Sequence, residues 1–334
     1  MRVWQISSFG IDSLEFAERP MPVPGPGEVL VAVRAVSLNF RDLMMVKGLY
    51  NPKMKLPRIP CSDGAGEVAA VGPGVTLWKP GDRVAGIFMQ NWIDGPLTAA
   101  RAKGALGGDI DGMLSEHVVL RELGLVAIPE YMSFQEAATL PCAAVTAWNA
   151  LAAGEVKPGA TVLIQGTGGV SMFALQFARL NGARVIGVSS SNEKLERAAA
   201  LGLDAGLNYR EHPDWEEWAL EQTGGEGVDL VVEVGGSGTL PRSLKAIRYG
   251  GTVAQIGVLA GAAEPLAIPL ILHKMARIHG IYVGSRRNFL EMNRAITLAQ
   301  LRPIGEAFHW AQTREVLQKM EEGSHFGKLV LTIE

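Results

Sequence analysis

Cys61, Ser62 and Asp63 stand side by side in IPCSDGAGEVAAVGPGV, residues 59–75, just ahead of a Gly-Ala-Gly where backbone can approach a neighbour closely. A thiol and a carboxylate at this spacing suit one corner of a metal site. They equally suit a site from which the metal is gone. Cys142 is the only other cysteine, and the first histidine of the chain is His117, so no imidazole lies near the stretch.

A second chemistry-bearing stretch is Gly166-Thr167-Gly168-Gly169-Val170-Ser171, which follows the apolar run ATVLIQ and opens GVSMFALQFARLNG. Gly166 permits a tight turn and Gly168 lets the backbone approach a pyrophosphate. Gly169 and Val170 begin a helix whose free N–H groups and positive dipole end favour phosphate. Ser171 replaces the usual third glycine and is still small. A dinucleotide with a free ribose 2′-hydroxyl calls for Asp or Glu at the end of the second strand, about 20 residues on. The chain has VSSSNEK there, with Ser189, Ser190 and Ser191 ahead of the first acid, Glu193. Hydroxyls beside Lys194 suit a 2′-phosphate, which needs donors and a cation. Tyr209 and Arg210 end the third strand, close to the adenosine. The expected cofactor is NADP(H).

The elements that must position these residues fall into two halves. Residues 1–125 read mainly as β, with the alternating strand GEVLVAVRAVSLN, then AGEVAAV, PGDRVAGIF and MLSEHVVLRE. The one clear helical signal in this half surrounds FRDLMMVKG. From about 155 apolar strands alternate with helices: ATVLIQG, ARVIGVSS, AGLNY, VDLVVEVGG, GTVAQIGV and ARIHGIYVG are the strands. The helices between them include NEKLERAAALG, opened by Asn192, and TLPRSLKAIRYGG. Six apolar strands with helical crossovers predict a doubly wound parallel sheet. The tail carries helices at NFLEMNRAITLAQ and TREVLQKMEEG and a closing strand, KLVLTIE, that returns to the first half. The predicted domains are 1–125, completed by about 285–334, and 126–284.

The 334 residues are 48% apolar and 19% charged with net charge −3, a globular composition without runs of like charge. That argues against nucleic acid and against an anionic membrane surface as partners. The start has acids at Asp12 and Glu15 and no apolar signal segment. The stretch AATLPCAAVTAWNALAAG is broken by Pro141, Thr146 and Asn149, which favours a buried helix over a membrane span. Two distant cysteines fit a reducing compartment, so a cytoplasmic protein is expected.

The order of PGPGEVLVAV, LNFRDLMMVKGLY, SDGAGEVAAVGPGV, KPGDRVAG, LPCAAVTAWNAL, GTGGVS, VSSSNEKLERAAALG and GKLVL resembles the medium-chain dehydrogenase/reductase superfamily along nearly the whole chain. The resemblance implies an α/β protein: a GroES-like β-rich catalytic domain joined to a Rossmann domain with a six-stranded parallel sheet. Its active site would lie between the two. Zinc members hold their catalytic metal with a Cys, a His and a further Cys or Asp. The matching positions here are Asn39, Ser62 and Cys142, and only the last is a zinc-ligand type. The four cysteines of the structural zinc lobe are absent from 91–109. The stretch at 61–63 thus reads as a site without its metal, with Cys61 a small buried residue. The chain is similar to the zinc-independent quinone oxidoreductase-like and enoyl reductase-like branch, whose mark N-x-x-D followed by G-L-Y is here Asn39, Asp42, Gly48, Leu49 and Tyr50. Phe40 and Met44 replace tyrosines that quinone oxidoreductases often carry.

In that branch a substrate that delocalises charge replaces the Lewis acid. A quinone or an α,β-unsaturated carbonyl takes hydride at carbon and becomes an enolate that hydrogen-bond donors can hold. Asn39 is then the expected donor toward the substrate or the nicotinamide ribose, Tyr50 the expected proton donor or a steering hydroxyl beside a water, and Asp42 the group that holds the local backbone or Arg41 for them. The resemblance implies that Thr146 touches the nicotinamide, and Gly257, Val258, Val283 and Gly284 are expected to line its carboxamide through backbone groups. Lys328 would face the cofactor, and Phe88, Trp92 and Met113 would wall the pocket. No metal is expected, and a homodimer through ARIHGIYVG is. The alternatives are a zinc-dependent alcohol dehydrogenase using Cys142 and Asp63, and a catalytically weak NADPH-binding sensor.

Overall fold

The computed structural model describes residues 1–261, 263 and 268–333. The chain divides into two compact units, Met1–Val145 with Val283–Glu334, and Thr146–Tyr282.

In the first unit the long strand Glu28–Leu38 is central. It pairs antiparallel with Asp63–Val71, with His117–Arg121 and with the C-terminal strand Lys328–Thr332, while Gly305–His309 runs parallel to the last of these. Arg83–Gly86 and Leu125–Ala127 extend the sheet. Val31, Val33, Val68, Val84, Leu120, Leu329 and Leu331 are buried in its core. Gly66 has to be glycine: a Cβ there would lie 2.1 Å from Ala32 O, beside a register shift in the pairing. At its end the central strand turns into a short helix, Phe40–Val46, with Asn39 at the N-cap position.

The first unit extends to Val145 and not to the boundary expected near 125. The strand Leu125–Ala127 pairs with Arg83–Gly86, and Tyr131 Oη donates to Leu301 O at 2.7 Å. Arg302 pairs with Glu136 at 2.8 Å. These bonds hold 126–145 to the tail of the same unit. Residues 137–154 form no single helix. They follow Phe134–Ala138 through a wide π-type turn, Leu140–Ala144, into Val145–Ala153.

The second unit is a six-stranded, all-parallel sheet in the order Ala205–Asn208, Arg184–Ser189, Thr161–Gln165, Val228–Glu233, Ile247–Gln255, Arg277–Gly280. This is the doubly wound order 3-2-1-4-5-6, whose switch point falls between Thr161–Gln165 and Val228–Glu233. Val162, Leu163, Ile164, Val231 and Val232 are buried in succession, as strands covered on both faces require. Two expected boundaries shift. The helix starting in TLPRS ends at Ala246, because Ile247 already pairs with Val228 and Arg248 Nε reaches Asp229 at 2.7 Å. Ser191, and not Asn192, caps the helix Asn192–Ala199, its Oγ accepting from Lys194 N at 3.3 Å.

Candidate functional site

In the first unit, Asn39, Asp42, Ser62, Asp63, Cys142 and Lys328 form one hydrogen-bonded cluster in which all but Cys142, which is half-buried, are buried. Asn39 N donates to Asp42 Oδ2 at 2.8 Å, which ties the strand end to the first helical turn. Ser62 Oγ donates to Asp63 Oδ1 at 2.7 Å, and Asp63 Oδ2 accepts Cys142 N at 3.0 Å. Asn39 Nδ2 reaches Ser62 Oγ at 3.4 Å. Lys328, expected to face the cofactor, is 3% exposed and turns inward, its Nζ donating to Leu38 O at 2.6 Å and Asn39 Oδ1 at 2.5 Å.

Burial sets the electrostatics here. It raises Asp63, against the pull of Lys328 and the bonds from Ser62 and Asn39. It raises Asp42 to about 6, with Arg41 opposing and Asp63 adding to the rise. The Cys61 and Cys142 thiols are likewise pushed up, first by burial and then by the neighbouring carboxylates. Cys61 is buried as expected, and its backbone is left-handed at φ 71°, packed under Gly107 and Gly112.

The donor set decides whether zinc fits. Asn39 and Ser62 are not zinc ligands, and Asp63 already holds two hydrogen bonds, which leaves Cys142 as the one zinc-ligand type among the three matching positions. Among the described residues no group of three or more His, Cys, Asp or Glu is arranged to hold a metal ion. The side chains at these positions do not fit a tetrahedral zinc site.

Tyr50 is exposed and joins this cluster through Arg41, whose guanidinium lies 5.5 Å from the Tyr50 ring centre and 4.7 Å from that of Phe88. Arg41 Nη1 also donates to Leu106 O at 2.9 Å. Of the expected pocket walls, Phe88 and Met113 are fully buried core residues of the unit. Trp92 is half-buried in a loop with its Nε1 on Gly95 O.

In the second unit the glycine turn is shaped for a dinucleotide. Gly166 has φ 67°, Gly169 opens the helix Gly169–Leu180, and a Cβ at Gly166 or Gly168 would meet only open space. The open side of the turn is thus the room a pyrophosphate needs. Ser171 Oγ donates to Gln165 O at 2.6 Å, fastening helix to strand in place of a third glycine. Ser189, which ends the second strand, is buried; Ser190 beside it and Lys194 in the helix that follows are half-buried; Tyr209, just past the third strand, is exposed. Thr146 is buried at the start of the unit, and Val170 is half-buried in the first helical turn.

Gly257 N donates to Glu233 O at 3.2 Å and its carbonyl accepts Gln255 Nε2 at 2.7 Å, so both its backbone groups already have partners. Val258 is exposed beside it. In the first unit, Val283 holds a left-handed backbone, φ 56°, unusual for a β-branched residue, next to buried Gly284.

Two groups escaped the sequence. Glu211 brings a carboxylate to the end of the third strand, where it accepts from Asn192 and Asn208, both at 2.8 Å. Glu233 is fully buried at the switch point, accepting from Gln165 Nε2 at 2.7 Å, Gly235 N at 2.8 Å, Gly236 N at 2.9 Å, Thr239 and Ser243. A polar residue closing each of two neighbouring apolar strands, TVLIQ and VDLVVE, was the available signal.

Residues 25–130 match the alcohol dehydrogenase GroES-like domain family, and residues 169–298 match the zinc-binding dehydrogenase family. A zinc-type alcohol dehydrogenase-like protein of Schizosaccharomyces pombe is 44% identical, covering 97% of this chain and 96% of the relative. The acryloyl-coenzyme A reductase of Metallosphaera sedula is 30% identical, covering 95% of this chain and 96% of the relative. A crystal structure of an NAD-dependent alcohol dehydrogenase superposes with a TM-score of 0.92 at 35% identity over 100% of both chains. With the 3-2-1-4-5-6 sheet, the open glycine turn and these matches, the chain belongs to the medium-chain dehydrogenase/reductase superfamily and is an oxidoreductase that uses a nicotinamide dinucleotide.

Proposed function

We propose that this protein is an NADPH-dependent reductase that works without zinc and delivers hydride to quinones or α,β-unsaturated carbonyls. One observation carries it: Asn39, Ser62 and Cys142 occupy the positions of the superfamily's catalytic zinc ligands, and the first two hydrogen-bond to each other instead of presenting metal donors. NADPH supplies the hydride when bound. Asn39 donates a hydrogen bond to the oxygen on which charge develops, a contribution of about 2 to 4 kcal/mol for a donor of this kind. Asp42 holds the Asn39 backbone, and Tyr50 delivers the proton or steers a water that does. The acryloyl-coenzyme A reductase among the relatives acts, by its name, on an α,β-unsaturated thioester, which supports the activated-alkene class.

Preference for NADPH rests on Ser189, Ser190 and Lys194. Glu211 is the acid nearest in sequence to the third-strand end, and its bonds to Asn192 and Asn208 occupy it. The protein acts in the cytoplasm as a homodimer joined along the edge strand Arg277–Gly280, and light scattering tests that mass. The rival is a zinc alcohol dehydrogenase using Asp63 and Cys142, favoured by the zinc-type name of the yeast relative.

The deciding experiment follows NADPH oxidation by chelator-treated protein with a small quinone and with a small enone. Substrate-dependent turnover that survives chelation supports the proposal, and the faster substrate names the subclass. Turnover of an alcohol that appears only on adding Zn²⁺ would establish the rival.

A further inference from the structure

Lys328 opens the C-terminal strand and yet is buried with its Nζ on Asn39 Oδ1 and Leu38 O. An ammonium only donates, so the Asn39 atom facing it is the carbonyl oxygen and the amide nitrogen must face Ser62. Ser62 receives that long bond and gives its own proton to Asp63 Oδ1. From cation to carboxylate every donor therefore points the same way: Lys328, Asn39, Ser62, Asp63. Bonds aligned like this polarise one another, most strongly out of water. Withdrawal of density toward Oδ1 makes the Nδ2 hydrogens better donors.

We propose that Lys328 is a positioning residue: it fixes the Asn39 amide with its oxygen on the ammonium and its nitrogen on the Ser62 side, so that a buried ammonium acts on the substrate oxygen through Asn39. Of the two Nδ2 hydrogens, one is directed at Ser62 and the second is assigned to that oxygen. The inference rests on the metal-free reading above and says what takes over the metal's charge. Arg41 and Lys328 are then the two cations that offset Asp42 and Asp63 in the cluster.

The test is the full-length Lys328→Met variant, read in three ways. Turnover of the enone, as kcat/KM, is expected to fall about 100-fold while NADPH affinity stays within about threefold. The Asn39 side-chain amide signals, assigned by their loss in Asn39→Ser, are expected to shift in the NMR spectrum. Adding Asp63→Asn to restore charge balance is expected to leave turnover low. Recovery in the double variant would reduce Lys328 to a counter-ion. A loss carried wholly by NADPH affinity would make it a cofactor contact, and unmoved amide signals would remove the bond; each overturns the proposal. If the methionine variant does not fold, Lys328→Leu, which likewise removes both the donor and the charge, is read against the same outcomes. Should the unaltered protein reduce neither enone nor quinone, the functional reading fails, and the amide signals still decide whether Lys328 fixes Asn39.

Discussion

Asn39 donates its backbone N–H to Asp42 Oδ2 at 2.8 Å, while Asp42 Oδ1 has no hydrogen-bond partner among the described residues and lies 3.7 Å from the Arg41 guanidinium. The bond orders the segment that carries Asn39, and the orphaned oxygen is its cost. Burial is the larger effect, since it raises Asp42 to about 6 despite Arg41. The folded chain therefore holds this proton more tightly than the unfolded one. For this group, the contribution to stability is fully present below about pH 4 and is lost as pH rises through about 6, by about 3 kcal/mol at 1.36 kcal/mol per pKa unit. Asp42→Asn removes that dependence. In urea titrations its stability relative to the parent should improve by about that much between pH 4 and pH 7. A difference that stays flat with pH would assign the titration to another group.

Gly168 and Gly257 predict opposite outcomes for the same substitution. A Cβ at Gly168 meets nothing within 4 Å, and its backbone, φ −78°, is ordinary for alanine. Gly168→Ala should leave the melting temperature unchanged and weaken NADPH binding by tenfold or more, about 1.4 kcal/mol, because the methyl occupies the phosphate's place. At Gly257 a Cβ would lie 2.2 Å from Val234 O. Gly257→Ala should lose about 2 kcal/mol or more of stability with no ligand present. Thermal melts with and without NADPH separate the two.

Glu233 braces the switch point from below. Its carboxylate collects donors from Gln165 on one strand and from Gly235, Gly236, Thr239 and Ser243 beyond its own. Glu233→Ala leaves those donors buried and unpaired, which should cost about 3 to 5 kcal/mol in chemical denaturation. A loss under about 1 kcal/mol would mean that water replaces the carboxylate.

The Rossmann sheet was legible because strands buried on both faces leave unbroken apolar runs, and because glycines stand where the turns need them. The closing strand was legible for the same reason. What the sequence hid were pairings between distant polar residues. GKLVL looks the same whether its lysine meets water or Asn39. Only the antiparallel register that sets Leu329 against Leu38 brings Lys328 to that oxygen. Gln165 meets Glu233 because strand order, not strand sequence, makes them neighbours. The absent zinc ligands could be counted from residue types. The bonds among their replacements depend on side-chain directions that spacing does not encode.

Lys194 lies in the first turn of the helix capped by Ser191. If the serines and this lysine hold a 2′-phosphate, Lys194→Ala should weaken NADPH about tenfold and leave NADH nearly unchanged. Dissociation constants for both cofactors, measured on both chains, check this. Equal affinities for the two in the parent protein would end the case for NADPH.

Tyr50 is the one phenol in the segment that carries Asn39 and Asp42, and Arg41 lies beneath its ring. That stacking survives loss of the hydroxyl, so Tyr50→Phe should keep the fold and the arginine in place. General acid catalysis typically contributes about 100-fold or more, so turnover of an enone should fall by that order if Tyr50 supplies the proton. NADPH affinity should not move. Tyr50→Phe with Arg41 untouched thus separates proton delivery from packing, whereas Tyr50→Ala would disturb both. A solvent deuterium effect on kcat that shrinks in the variant points to the phenol itself. Unchanged turnover, with the deuterium effect retained, would assign the proton to water and leave Tyr50 to shape the approach over Arg41.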